Sequence, residues 1–231
     1  MVTLVVCFLA RGTSQGFIAA VENEGIGALY GNQCILQLRS GEEVKGKFVG
    51  GTYVKNGLTK ISIKLENGEK VKYEPEDLVS LHIRASDLLK LFLVSESASS
   101  VKELEKTDFD EIIQREYLIF ETALTPKKSD TYRLLQLINP GFDTKIKVFA
   151  EPSAKTGGLS MGGIPITGGE DRAFLFVKGG EKAFVVKKGS YDNNFEELFA
   201  DCPRLISAYE GGKIKWDNVA LHVFFYDQYC D

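Results

Sequence analysis

The groups with which this chain could do acid–base, nucleophilic or metal chemistry are few: two histidines, four cysteines and scattered carboxylates along 231 residues. A zinc site asks for three or four His, Cys or carboxylate ligands at close spacing. His82 lies in an alternating Leu81-His82-Ile83 run and His222 stands beside Val223 in an aromatic-rich stretch, so both read as structural imidazoles. Asp108, Asp110, Glu111 and Glu116 contain the makings of a glycosidase carboxylate pair, but their spacing describes the solvated face of an acidic helix. Asp192-Asn193-Asn194 lacks the rest of a calcium loop and reads as helix capping. The glycine-rich stretch 155–169 offers successive backbone N–H groups to an anion. No Gly-Lys-Ser/Thr opens a helix after it and no Gly-x-Gly-x-x-Gly occurs, so a surface loop is expected. No Gly-x-Ser-x-Gly nucleophile elbow appears either. Residue types and spacing thus lead us to expect no catalytic, metal or cofactor site.

The cysteines point to compartment rather than catalysis. Cys202 and Cys230 flank a segment with helical patterning and form the natural disulfide pair, while Cys34, in an alternating Cys-Ile-Leu-Gln-Leu run, reads as a buried small hydrophobe. Residues 2–10 (VTLVVCFLA) carry only one polar side chain, Thr3, over the length of a signal-peptide core. Ser14 and Gly16 then put small side chains before Phe17, although no Lys or Arg precedes the run. A leader over 1–16 is therefore expected, with a buried first strand as the alternative. An oxidising compartment, periplasmic or extracellular, fits both ends.

A hydrophobic fraction of 44% excludes wholesale disorder. Without the leader, 27 basic residues face 32 acidic ones with the signs interspersed, which argues against nucleic acid as a partner on global charge. No later stretch approaches the apolar length of a membrane-spanning helix.

The pattern along the chain is mainly β, turning α+β at the C-terminus. Alternating runs at 34–39, 43–49, 58–65, 69–73 and 78–83, punctuated by Ser40-Gly41 and Asn67-Gly68, predict five antiparallel strands in an SH3-like or Sm-like small barrel over 17–95. Asn67-Gly68 suggests a type I′ turn. Residues 96–116 read as a polar linker with a short helix, Thr107 and Asp110 forming a possible capping box. A second antiparallel β region is expected over 117–190, with Asn139-Pro140-Gly141 as a strong turn. Short helices clamped by the disulfide follow over 191–231, with Asn193 and Asp217 as expected N-caps. Trp216, Phe224, Phe225, Tyr226 and Tyr229 are expected to fill the core beneath them.

The run Leu38-Arg39-Ser40-Gly41-Glu42-Glu43-Val44-Lys45-Gly46-Lys47-Phe48 resembles the first half of the motif of RNA-binding Sm-like proteins, and Ile83-Arg84-Ala85 lies where their second half has Ile-Arg-Gly. The Asp and Asn that hold the nucleotide in that family have no counterpart in Val49-Gly50-Gly51-Thr52-Tyr53-Val54, and glycines cannot stack or hydrogen-bond a base through side chains. Over most of its length the chain resembles uncharacterised exported β-rich proteins of Bacteroidetes bacteria. The likeness rests on the Leu-x-Ser-Gly-Glu-x-Val-x-Gly-Lys hairpin, Tyr73-Glu74-Pro75-Glu76-Asp77-Leu78, Leu134 to Gly141, Phe199-Ala200-Asp201-Cys202-Pro203 and Tyr229-Cys230. It implies location in the periplasm or on the outer surface and no activity to carry over.

The leading expectation is a non-enzymatic module of the cell envelope that binds a protein or glycan partner, with peripheral membrane association as one mode of attachment. A hydrolase whose site is assembled from distant residues and an Sm-like RNA-binding module are the alternatives. Converging carboxylates or a perturbed histidine in a pocket would favour the enzyme, a basic face the RNA binder, and an exposed apolar patch on the sheets the partner-binding module.

Overall fold

The computed structural model describes residues 16–18, 20–21, 23–54, 57–97, 109–126, 130–151, 160–161, 164–165 and 173–230. The expected leader lies outside them, as do Thr107, Asp108 and most of the glycine-rich stretch. The fold is mainly β, with a closed six-stranded barrel, a second antiparallel sheet and short C-terminal helices.

The barrel strands are β1 (Gln33–Leu38), β2 (Glu43–Val54), β3 (Gly57–Lys64), β5 (Leu78–Arg84), β6 (Tyr117–Thr125) and β7 (Thr131–Gln136), with β4 (Lys70–Tyr73) added outside β3. Pairing runs β2-β1-β5-β6-β7-β3 and returns from β3 to β2. Alternation drives the closure: Leu36, Phe48, Ile61, Ile63, Leu81, Leu118 and Phe120 all point inward and are buried. The tight hairpins after β1 and β3 share one geometry. In each, a glycine at positive φ, Gly41 (89°) or Gly68 (87°), donates to the carbonyl three residues back, Leu38 or Leu65. No non-glycine residue has positive φ among the described residues, so Asn67-Gly68 is not the expected type I′ turn. A type I turn followed by a left-handed glycine explains the geometry.

The sequence pattern assigns β6 and β7 to the start of the second β region, with 96–116 as the boundary before it. They instead close the barrel, with β6 beside β5 and β7 reaching β3 at Leu58 and Leu134. Without them β5 and the first half of β3, which β4 does not reach, would be open edges, and the two further strands cover both. The apolar stretch after β5 forms α1 (Asp87–Ser97), whose Leu89 and Leu93 enter the barrel core four residues apart, and α2 (Phe109–Gln114) adds Ile112.

The second sheet consists of β8 (Ile146–Ala150), β11 (Ala173–Lys178) and β12 (Phe184–Lys187), while among the described residues β9 (Ser160–Met161) and β10 (Ile164–Pro165) pair only with each other. It is the middle layer of the molecule. Phe149, Leu175 and Val177 face the outer side of the barrel, against Ile119, Ala123, Leu135 and Leu137. Ile146, Val148, Phe174 and Phe176 face the helices α3 (Tyr191–Leu198), α4 (Pro203–Ala208) and α5 (Val219–Tyr229). A strand buried on both faces reads as a continuous apolar run, which is what Ala-Phe-Leu-Phe-Val is. The buried amide of Asn139 ties β7 to β8: it donates to the carbonyls of Phe142 and Ile146 and accepts from the Val148 N–H, all at 2.7–2.8 Å.

Cys202 and Cys230 are joined, with Cα atoms 5.3 Å apart, and Cys34 remains a buried thiol whose pKa burial pushes up to about 12. The expected caps differ. Asn193 lies inside α3, which begins after Ser190, and Asn218 rather than Asp217 precedes α5. Each helix enters from a 3-10 turn, so its first residue lies earlier or later than the polar pattern suggests. No helix among the described residues is long and apolar enough to cross a membrane.

Candidate functional site

A groove of about 130 Å³ opens where the barrel meets the middle sheet, floored by Val79, Ala123, Phe149 and Val177. Two ion pairs flank it. Arg39, just past β1, donates to Glu181 in the β11–β12 turn at 2.6 Å and lies over the Tyr132 ring, while the Tyr132 hydroxyl also donates to Glu181. The hydrogen bond from Arg39 pulls the Glu181 pKa down, and the same bond raises that of Arg39. Lys147 on β8 donates to Glu121 on β6 at 2.5 Å. Asp143 beside them is held above the usual carboxylate range, first by burial and then by the Glu121 charge. The volume holds a few waters and falls short of the several hundred Å³ usual for small-molecule sites. Each carboxylate on its wall is already matched by a cation, so the groove bolts two layers together.

The two histidines are not brought together. His82 sits half-buried on β5 against the Tyr117 ring, and burial lowers its pKa. His222, fully buried on α5, meets the Tyr191 hydroxyl through Nδ1 at 2.7 Å. Its ring stacks on Tyr191 and takes Phe195 and Tyr209 edge-on, and Nε2 has no hydrogen-bond partner among the described residues. Burial lowers its pKa to about 4 and raises that of Tyr191, so imidazole and phenol are both neutral at pH 7. Two neutral rings enclosed by aromatics describe a packed core.

The disulfide has a polar brace. Asp201 accepts from Lys178 and from the Tyr226 hydroxyl, each at 2.6 Å. Burial pushes its pKa up, but those two hydrogen bonds, with the Lys178 charge and a backbone hydrogen bond, outweigh it and the net shift is downward. Lys145 reaches the carbonyl of Cys230, and Asp227 accepts from the backbone of Thr144 and Lys145. Both ends of the clamp are thereby pinned to the middle sheet.

The other residues singled out by sequence fall as follows. Asp110 and Glu116 are exposed and lie at opposite ends of the α2 segment. Asp192 bonds only the next backbone N–H among its described hydrogen bonds. Of the aromatic cluster, Trp216 stacks on Phe174, Phe224 meets Phe142, and Tyr226 packs on Phe199. Tyr229 is exposed, against the core expectation, because it closes α5. The glycines of the Sm-like run serve packing: a Cβ at Gly46 would lie 2.6 Å from Ile63 Cγ2, and one at Gly51 2.8 Å from Leu58 Cδ2. Among the described residues no three His, Cys, Asp or Glu side chains gather to hold a metal ion.

Two surfaces were not anticipated. On α1 and α2, Leu88 (69% exposed), Leu91 (66%) and Ile113 (57%) point outward, away from Leu89, Leu93 and Ile112. They sit on helices, whereas the patch named as favouring a partner-binding module was one on the sheets. The lysines of β2, β3 and β4 share one outer face of the barrel. Alternation of Lys60 and Lys64 was visible in sequence, but only the register across three strands brings them to Lys47, Lys70 and Lys72.

No protein-family model, no curated protein and no solved structure matches this chain.

Proposed function

We propose that this chain is a non-enzymatic, exported binding module of the cell envelope that docks a protein or glycan partner on a rigid scaffold. The reading is carried by the exposed triad Leu88, Leu91 and Ile113, three large apolar side chains on adjoining helices that the barrel core does not use. The pairing of the ionisable groups supports it. Glu121, Asp201, Asp227 and His222 are each committed to a structural partner, which leaves the scaffold stiff and its surface free to vary. The Cys202–Cys230 bond supports an oxidising compartment.

Co-purification from the envelope fraction of the native host tests this. A specific partner should accompany the intact protein and fall by about tenfold or more with Leu88→Glu, Leu91→Glu and Ile113→Glu together, while circular dichroism and the disulfide stay unchanged. Intact mass of the same preparation should place the mature start after Gly16. Equal recovery with the triple variant would sink the docking role.

A further inference from the structure

We infer that the outer face of β2, β3 and β4 is an electrostatic docking surface for an anionic phospholipid bilayer. It is a different surface from the apolar triad and does not rest on a protein or glycan partner. Lys47 of β2 lies directly opposite Lys64 of β3, and Lys64 directly opposite Lys70 of β4. Directly paired residues project to the same side, and the inward set is fixed by the buried Phe48 and Ile63 of the next pair along. The same alternation puts Lys45, Lys60 and Lys72 on this outer side, and all six lysines are exposed.

Like charges opposite one another weaken a sheet. Glu43 lies 3.0 Å from Lys45 and Glu74 3.3 Å from Lys60, but Lys47, Lys64, Lys70 and Lys72 have no carboxylate within ion-pair distance among the described residues. Four unmatched lysines thus leave the sheet from backbone positions a strand spacing or a two-residue step apart, roughly 5 Å and 7 Å. They do so in a chain whose net charge is −4. An external array of negative charge offsets this repulsion.

The chemistry of the face selects among polyanions. Lysine is a point charge on a flexible stem and lacks the fork with which arginine grips a single phosphate. Exposed aromatic side chains are missing among the described outward residues of these strands, which are mainly Lys, Thr, Ser, Gly and Glu, so bases have nothing to stack on. The outside of a small barrel is convex, and it meets a plane rather than straddling a duplex. A fluid leaflet of anionic headgroups rearranges under such a grid, and each lysine near it contributes about fivefold in affinity.

Co-sedimentation of the full chain with vesicles of phosphatidylglycerol and phosphatidylcholine tests this, with pure phosphatidylcholine vesicles as reference. Binding should require phosphatidylglycerol and be lost on raising salt from about 50 to 500 mM. Lys47→Gln, Lys64→Gln, Lys70→Gln and Lys72→Gln together should weaken it by roughly a hundredfold or more. Lys213→Gln with Lys215→Gln, exposed on the helical side, should leave it unchanged. The quadruple variant loses repulsion and should melt no lower than the parent, which separates lost binding from lost folding. The assignment is overturned if phosphatidylglycerol makes no difference, if the quadruple variant binds like the parent, or if duplex DNA or RNA of equal charge displaces the protein from the vesicles.

Discussion

His222 shows how a residue that sequence marks as chemical becomes structural. Its imidazole is enclosed by Tyr191, Phe195 and Tyr209, and its only hydrogen bond among the described residues is to the Tyr191 hydroxyl. Burial alone lowers its pKa to about 4, against an unfolded value near 6.5. Between those two values the unfolded chain binds the extra proton, so stability rises with pH through the window and falls as pH drops from about 6.5 to 4. The loss should reach about 3 kcal/mol at most, and urea unfolding at pH 7 and pH 4.5 measures it. His222→Phe should flatten that slope, and an unchanged slope would mean that another group carries it. The structural reading of this residue was legible because it has no ligand-forming neighbour in sequence. Its phenol partner, 31 residues upstream, was not, since the contact depends on how α3 and α5 pack.

At the scale of elements, hairpins were readable and their assembly was not. Two-residue alternation and turn glycines mark β1 to β5, and these are local signals. That β6 and β7 close the barrel depends on pairing across the stretch that sequence marked as a linker, for which no local pattern exists. Closure has one tight point. Gly57 opens β3 at a φ of +112°, and a Cβ there would lie 2.5 Å from the carbonyl oxygen of Leu134, the residue through which β7 reaches β3. Gly57→Ala therefore combines a strained backbone with a collision against main chain, and should destabilise by about 2 to 4 kcal/mol. Gly27→Ala, where a Cβ meets nothing within 4 Å, is the control and should stay within a fraction of that. Equal melting temperatures for the two variants would show that the seam yields without cost.

For the whole molecule the decisive feature is that one sheet belongs to two cores. Leu175 and Val177 pack towards the barrel while Phe174 and Phe176 pack towards the helices, so neither outer layer loosens without exposing one face of β11. Sequence gave the apolar run of β11 but not the two-sided burial, because strands buried on both faces lose the alternation that reveals a direction. The N-terminal approach adds a further tie: the Ile18 N–H donates to the Ile138 carbonyl and the Val21 N–H to the buried Gln136 side chain. Heat should therefore unfold the chain in one transition. The Cys202–Cys230 bond spans 28 residues of sequence, for which chain entropy gives about 3 to 4 kcal/mol. Replacing both cysteines by Ser should lower that single midpoint by roughly 7 to 14 °C for a chain of this size. Reductant added to the parent should reproduce the shift, since Cys34 is an isolated thiol within the barrel. Differential scanning calorimetry separates the outcomes. One peak moving as a whole means that the clamp at the helical end supports the barrel through the middle sheet. A split into two peaks, with the upper one at the parental midpoint, would mean that the layers unfold independently and that the shared sheet does not couple them.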